Sequence, residues 1–398
     1  MTKKKSKQNP IVSSIIAVVV VIVGAIFYAV TGIDLTDGSA TPEASSTQVA
    51  SVATPAATGD YEVLTFEQGS GARSGFWQVY FTSPINTRDR SQYQNGVDTA
   101  IAEAIDVVQN TLDIAAFEMN NEVITDAILR AHERGVAVRI VTDNEHGIED
   151  DDTTLLDLEL EGIDIIDDGR SALMHNKFMI MDGITVWMGS MNYTTNGVYR
   201  NNNNMLVMRS RRAVETYQAE FDEMFERGEF GTRSDDSNTA NFTQDGTPIE
   251  IYFASENEVV EEILQEINGA QSTIRFMIFS FTRDDMGEAM MAQAAAGIDV
   301  QGVFETTGSK TRFSEMPRLL CAGVDVRQDG NNGALHHKVI IIDSQVVITG
   351  SFNFSNNAVE SNDENVVIIR NADIASLYLQ EFQRIQNLAA VADDITCD

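Results

Sequence analysis

Two short stretches of this sequence carry residue types able to do chemistry. Met174-His175-Asn176-Lys177 is followed by Asp182, and Leu335-His336-His337-Lys338 by Asp343, so the pattern H-x-K-x4-D occurs twice. Each copy is trailed in the same register by a glycine, a serine and an asparagine: Gly189, Ser190 and Asn192, then Gly350, Ser351 and Asn353. A histidine and a lysine two apart in an apolar strand project from one face. Two such faces brought together place two imidazoles and two ammonium groups around one cationic pocket, whose natural guest is a phosphodiester. One imidazole would attack phosphorus to give a phosphohistidine. The other would protonate the departing alcohol and later activate the water that frees the enzyme. An unperturbed imidazole titrates at about 6.5, so both protonation states are accessible near neutrality. Lys177 and Lys338, with Asn192, Asn353 and the hydroxyls of Ser190 and Ser351, would hold the non-bridging oxygens as charge builds on them. These steps call for no metal and no cofactor.

Asp182 and Asp343 have the opposite strand parity to the histidines. Each opens a turn between apolar runs, Asp182-Gly183 or Asp343-Ser344, which is a hairpin signal, so both are read as structural. His132 and His146 read as ordinary core or surface residues, and His337 should face away from the pocket. For His175 and His336 the bland reading requires the same eight-residue pattern, with the same trailing residues, to arise twice by coincidence.

The elements that must position these residues also repeat. An apolar strand, Val79 to Thr82 or Ile249 to Ala254, precedes a helix whose apolar positions recur at helical spacing: Val97, Ile101, Ile105 and Val108, then Val260, Ile263, Leu264 and Ile267. Next come strands at Leu112 to Phe117 and Thr273 to Phe279, each followed by a helix that stops at a glycine, Gly135 or Gly297. Further strands are expected at Val136 to Val141 and Val300 to Phe304. Both histidines lie thirteen residues beyond another glycine, Gly162 or Gly323. Strands alternating with helices predict an α/β protein of two tandem βα repeats about a pseudo-two-fold axis, each with a mixed, mostly parallel sheet flanked by helices.

Over about residues 76 to 388 the chain resembles the phospholipase D superfamily, whose hallmark is two H-x-K-x4-D motifs with a trailing G-S-x-N. In that family an acidic residue beyond the serine commonly orients a catalytic histidine, and the resemblance implies this role for Glu364 in Asn362-Asp363-Glu364-Asn365. The first half sets Asn203 opposite it. The two histidines are therefore expected to be chemically unequal, while the sequence leaves open whether Glu364 serves His336 or crosses to His175.

The remaining features bound the setting. The 398 residues carry 60 acidic against 27 basic side chains, a net charge of −33. Phosphate backbones are bound chiefly through Lys and Arg, so this balance disfavours a nucleic-acid groove. Cys321 and Cys397 are too few for a cysteine zinc site, and either a disulfide or two free thiols stays open. Residues 1–10 hold four lysines, and the uncharged run Ile11 to Val30 is long enough to cross a bilayer of about 30 Å. This predicts a single-pass anchor with the rest of the chain outside the cytoplasm; a cleaved leader followed by secretion is the alternative. Residues 31–60 read as a flexible tether, 61–232 as the first lobe, 233–247 as a link, 248–390 as the second lobe and 391–398 as a tail. The expected activity is hydrolysis of phospholipid headgroups. The alternatives are a nuclease acting without metal, a cardiolipin synthase-like transphosphatidylase, and a silent binding module of the same fold.

Overall fold

The computed structural model describes residues 59–234 and 238–397. The first half builds a nine-stranded sheet from β1 (Glu62–Phe66), β2 (Gly69–Ser74), β3 (Trp77–Thr82), β4 (Thr111–Ala116), β5 (Ala137–Thr142), β6 (Asp164–Asp167), β7 (Lys177–Met181), β8 (Thr185–Gly189) and β9 (Asn204–Met208). Its spatial order is β1-β2-β3-β9-β8-β7-β4-β5-β6. The second half supplies β10 (Ala240–Gln244), β11 (Thr247–Ala254), β12 (Thr273–Ile278), β13 (Asp299–Phe304), β14 (Asp325–Gln328), β15 (Lys338–Ile342), β16 (Val346–Gly350) and β17 (Glu364–Arg370). They are ordered β10-β11-β17-β16-β15-β12-β13-β14. From β3 and from β11 onward the two orders are the same. β10 falls inside the stretch expected to be a link.

Both sheets are mixed, as expected, but mostly antiparallel where a mostly parallel pairing was expected. Parallel ladders are confined to β4-β5-β6 and β12-β13-β14. The other ladders are antiparallel, because each motif strand returns at once through a hairpin, β7 to β8 and β15 to β16. Helices supply the parallel crossovers. Glu122–Glu133 starts where the Asn121 side chain accepts from the Ile124 N–H, and Gly135 follows its last turn with φ +88°. Asp284–Ala295 does the same work in the second half, before Gly297.

Both faces of each sheet are buried, and strand alternation divides their side chains. Phe178 and Ile180 of β7 pack with Val339 and Ile341 of β15 in a core shared by the two halves. Met179 and Met181 face the first half's own helices, and Ile340 and Ile342 face the second half's. The helices Arg211–Asp222 and Ala372–Gln386 bring Tyr217, Phe221, Tyr378 and Phe382 into the shared core. Cys321 and Cys397 form a disulfide that pins the C-terminal segment.

The expected single-pass membrane placement is corrected. Among the described residues no helix is long and apolar enough to cross a membrane. The longest of them, Ala372–Gln386, has 15 residues. At 1.5 Å per residue that is about 22 Å, short of a hydrocarbon core of about 30 Å, and its apolar face is already packed against protein. The run from Ile11 to Val30, whether anchor or leader, and nearly all of the expected tether lie outside the described residues.

The two aspartates anchor the hairpins. The Asp182 carboxylate accepts from the backbone N–H of Gln109 at 2.9 Å, Asn110 at 2.6 Å and Thr111 at 3.1 Å. Asp343 accepts from those of Gln271, Ser272 and Thr273 at 2.7 to 2.9 Å. Burial opposes their ionisation, but these donors together hold both carboxyls below their usual range. Each hairpin turns on two residues of positive φ: Asp182 and Gly183 in one, Asp343 and Ser344 in the other. The left-handed conformation costs a side-chain-bearing residue about 1–2 kcal/mol, so Ser344 is strained where Gly183 is not. Glycine also loses more freedom on folding, which offsets part of that cost. Ser344→Gly is expected to stabilise the chain by about 0.5–1 kcal/mol, read as a higher denaturant midpoint at unchanged slope. A lower midpoint would contradict this reading of the turn.

Candidate active site

Strand register places the two lysines. Lys177 pairs with Ala116 at the carboxyl end of β4, and Lys338 pairs with Ile278 at the carboxyl end of β12. Both therefore sit where parallel α/β strands present their ligand-binding edge. The histidines lie just before β7 and β15, rather than within the strands as expected, and there each half grips the other. The His175 N–H donates to the Asp363 carbonyl at 3.0 Å, and the Asp363 N–H donates to the Leu173 carbonyl at 2.9 Å. Reciprocally, the His336 N–H donates to Asn202 at 2.9 Å, and the Asn202 N–H donates to Ala334 at 2.8 Å.

This exchange carries each histidine to a partner from the opposite half. Glu364 crosses to the first motif: its Oε2 lies 2.7 Å from Nδ1 of His175. Asn203 crosses to the second, its Oδ1 lying 3.0 Å from Nδ1 of His336. The trailing serines, expected to hold phosphate oxygens, orient these partners. Ser351 Oγ donates to Glu364 Oε2 at 2.6 Å, and Ser190 Oγ to Asn203 Oδ1 at 2.8 Å. Asn192 Nδ2 donates to Glu118 at 2.7 Å. Oδ1 of Asn192 and Oδ1 of Asn353 have no hydrogen-bond partner among the described residues.

The ammonium groups are fixed in matching ways. Nζ of Lys177 donates to the His175 carbonyl at 2.6 Å and lies 4.6 Å from the centre of the Phe117 ring. Nζ of Lys338 donates to the His336 carbonyl at 3.0 Å and lies 4.7 Å from the Phe279 ring. The same two rings meet the imidazoles edge to face, at 4.7 and 4.8 Å. Exposure is 5% for His175, 8% for His336, 0% for Lys177 and 1% for Lys338, so only the imidazole edges reach solvent.

Burying this much like charge shifts every group towards neutrality. Desolvation drives both imidazoles well below their ordinary value, and Lys177 and Lys338 push them further down. Burial brings Lys177 down to about 7, against the pull of Glu364, Glu118 and Asp143. Lys338 is lowered well below the lysine range by burial and by Lys177. Glu364 is pushed up to about 8 by burial, against the opposing pull of both lysines. The imidazoles and ammonium groups would recover charge beside an anion, so the arrangement favours an anionic guest.

The residues expected from the motif thus meet at one place: His175, Lys177, His336, Lys338 and Glu364, with Ser190 and Ser351 behind them. Several others are not expected from sequence. Phe117 and Phe279 stand out there only as strand ends, though their matched positions in the repeat are a signal. Asn203 is visible merely as the counterpart of Glu364. The His146 ring lies 5.1 Å from that of Phe117, tilted by 41°, with no spacing to announce it. Behind the motifs, Asn365 Nδ2 donates to Asn176 at 2.7 Å and Asn204 Nδ2 to His337 Nδ1 at 2.9 Å. His337 also meets Glu381 at 3.1 Å and so faces away from the site, as expected.

Comparison with known proteins agrees with this geometry. The family described as "Cardiolipin synthase, PLD-like domain" matches twice, over residues 101–225 and 263–386, together more than half of the chain. The mitochondrial cardiolipin hydrolase of Mus musculus is 32% identical over 126 residues, which cover 32% of this chain and 57% of that protein. A phospholipase D of Rickettsia conorii is 36% identical over 120 residues, 30% of this chain and 60% of that one. The chain thus spans little more than half the length of these relatives. The phosphatidylserine synthase of Haemophilus influenzae shares the fold over 74% of this chain and 85% of its own, at 13% identity and a TM-score of 0.57. With two matched copies of the domain, each carrying an intact motif, the chain belongs to the phospholipase D superfamily.

Proposed function

We propose that the chain hydrolyses phosphodiesters at this single shared site, with His175 as nucleophile and His336 as general acid and base. The observation that carries the reading is the crossed pairing, which gives one histidine a carboxylate and the other a neutral amide. The buried Glu364–His175 pair shares a proton, and we place it on Nδ1, because Lys177 and Lys338 favour charge on the carboxylate. That tautomer leaves the Nε2 lone pair free. As Nε2 bonds to phosphorus, positive charge grows on the ring and Glu364 stabilises it. Asn203 offers His336 less stabilisation as a cation, so His336 gives up its Nε2 proton more readily to the departing alcohol. In the second half-reaction His336 takes a proton from water, whose oxygen attacks phosphorus. The P–N bond breaks, and a phosphate monoester leaves.

The substrate class we propose is a phospholipid. A net charge of −33 disfavours the long phosphate backbone of a nucleic acid. The relatives named above include a cardiolipin hydrolase and a phospholipase D. The test presents the full chain, side by side, with phosphatidylcholine vesicles, cardiolipin vesicles, and single- and double-stranded DNA. Release of a soluble alcohol headgroup or of phosphatidate supports the lipid reading; cleaved DNA with intact lipid replaces it with a nuclease. On the preferred substrate, kcat/KM should fall above about pH 7. Lys177, held down to about 7, is an ammonium below that pH and loses its charge above it. A kcat/KM constant to pH 9 would remove the lysine from anion binding.

A further inference from the structure

The two halves treat one buried glutamate in opposite ways. In the second half Glu381 accepts from Arg384 at 2.6 and 2.8 Å and meets His337 Nε2 at 3.1 Å. Nη2 of Arg384 also donates to Oδ1 of Asn202 at 2.8 Å, so a guanidinium fills the space between these residues. The repeat sets Glu220 where Glu381 stands, Asp363 where Asn202 stands, and Glu223 where Arg384 stands. An acid has replaced the cation. Glu256 then adds a further carboxylate, and one oxygen each from Glu220, Glu256 and Asp363 lie within 4.8 Å of one another.

The surrounding groups compensate this cluster only in part, chiefly at Asp363. Arg170 pairs with Asp363 and Asp168, the Gly231 N–H donates to Oδ1 of Asp363 at 2.5 Å, and Arg227 pairs with Glu223. Asn238 Nδ2 donates to Oε2 of Glu220 at 3.4 Å. Oε1 of Glu220, whose side chain is fully buried, and both oxygens of Glu256 have no hydrogen-bond partner among the described residues. Buried carboxylates are ordinarily paired, hydrogen-bonded or bound to metal.

We propose that Glu220, Glu256 and Asp363 bind one hard divalent cation, calcium by preference, where the other half places the Arg384 guanidinium. An all-carboxylate set suits calcium or magnesium rather than a softer transition metal, and calcium tolerates an irregular oxygen shell better than magnesium does. The ion is structural. Asp363 exchanges backbone hydrogen bonds with the segment carrying His175, and it precedes Glu364 in the chain. The cation therefore braces the crossing that pairs Glu364 with His175, and no step of phosphoryl transfer passes through it.

The test uses the full chain, stripped with a chelator and dialysed, in calorimetric titration with calcium chloride and in thermal unfolding. One ion per chain is expected, with the unfolding temperature raised by on the order of 5 °C at a calcium concentration 100-fold above Kd. Glu256→Gln should weaken calcium binding by at least about 10-fold, since a neutral amide replaces a charged ligand. Glu223→Arg restores the other half's arrangement, so it should raise the unfolding temperature in chelator and abolish the calcium response. Neither readout depends on turnover, so an error in the catalytic reading leaves the test intact. Absence of heat together with an unchanged unfolding temperature in calcium, magnesium and manganese would overturn the proposal, leaving shared protons to hold the carboxylates together. Calcium binding undiminished in Glu256→Gln would overturn it equally. The wild-type titration decides the matter alone if a variant fails to fold.

Discussion

His175→Ala and His336→Ala each lower kcat on a phosphodiester by on the order of 10^4 to 10^6-fold, the scale expected when one member of a cooperating catalytic set is removed. The two losses differ in kind. With a nitrophenyl diester the leaving group departs without a proton, so His336→Ala should still release one equivalent of nitrophenol in a burst. It then stalls, because no base activates water against the phosphohistidine. His175→Ala has no nucleophile and should show no burst. Stopped-flow absorbance at enzyme concentrations comparable to substrate separates the two. Equal bursts, or a burst only in His175→Ala, would abolish or reverse the assignment of nucleophile and acid. Neither imidazole belongs to the apolar cores that hold the two halves together, so both variants should fold, and circular dichroism checks this.

Glu364→Gln is expected to lower kcat by about 10^2 to 10^3-fold, since the amide retains a hydrogen bond to Nδ1 but not the charge that stabilises the developing imidazolium. Stability should move the other way or not at all. Burial pushes Glu364 up to about 8, so the carboxylate charge held beside His175 is carried at a cost in stability. That cost grows as pH rises from the ordinary glutamate range to about 8, and a neutral glutamine does not carry it at any pH. Thermal unfolding at pH 8 should therefore find Glu364→Gln at least as stable as the parent while its turnover has collapsed. A variant that is both inactive and strongly destabilised would make Glu364 a packing residue and nothing more.

The histidines and lysines of the two motifs are legible in the sequence because their spacing is local and repeated. A strand fixes which side chains share a face within a few residues, and duplication makes coincidence improbable. The same holds for Asp182 and Asp343, whose turn chemistry is written in the adjacent residue. The direction of the Glu364 crossing is not legible. It depends on backbone bonds between Leu173 and Asp363 and between Ala334 and Asn202, pairs far apart in sequence whose contact follows from how the halves dock. His146 escapes for a similar reason, since its ring reaches the site by lying against Phe117 and not through any motif. The sheets look mostly parallel from sequence because strand-helix alternation reports the crossovers but not the hairpins that follow each motif. β10 is hidden because a five-residue edge strand with alternating exposure leaves little apolar pattern to read.

Whether the two halves share one active site, in which a single histidine becomes phosphorylated, can be read from a single turnover quenched without acid, followed by mass-spectrometric mapping of the phosphoryl group. At most one phosphoryl group per chain is expected, on His175. Two groups per chain, or phosphorylation of His336 in the unmodified protein, would contradict a shared site with His175 as its nucleophile.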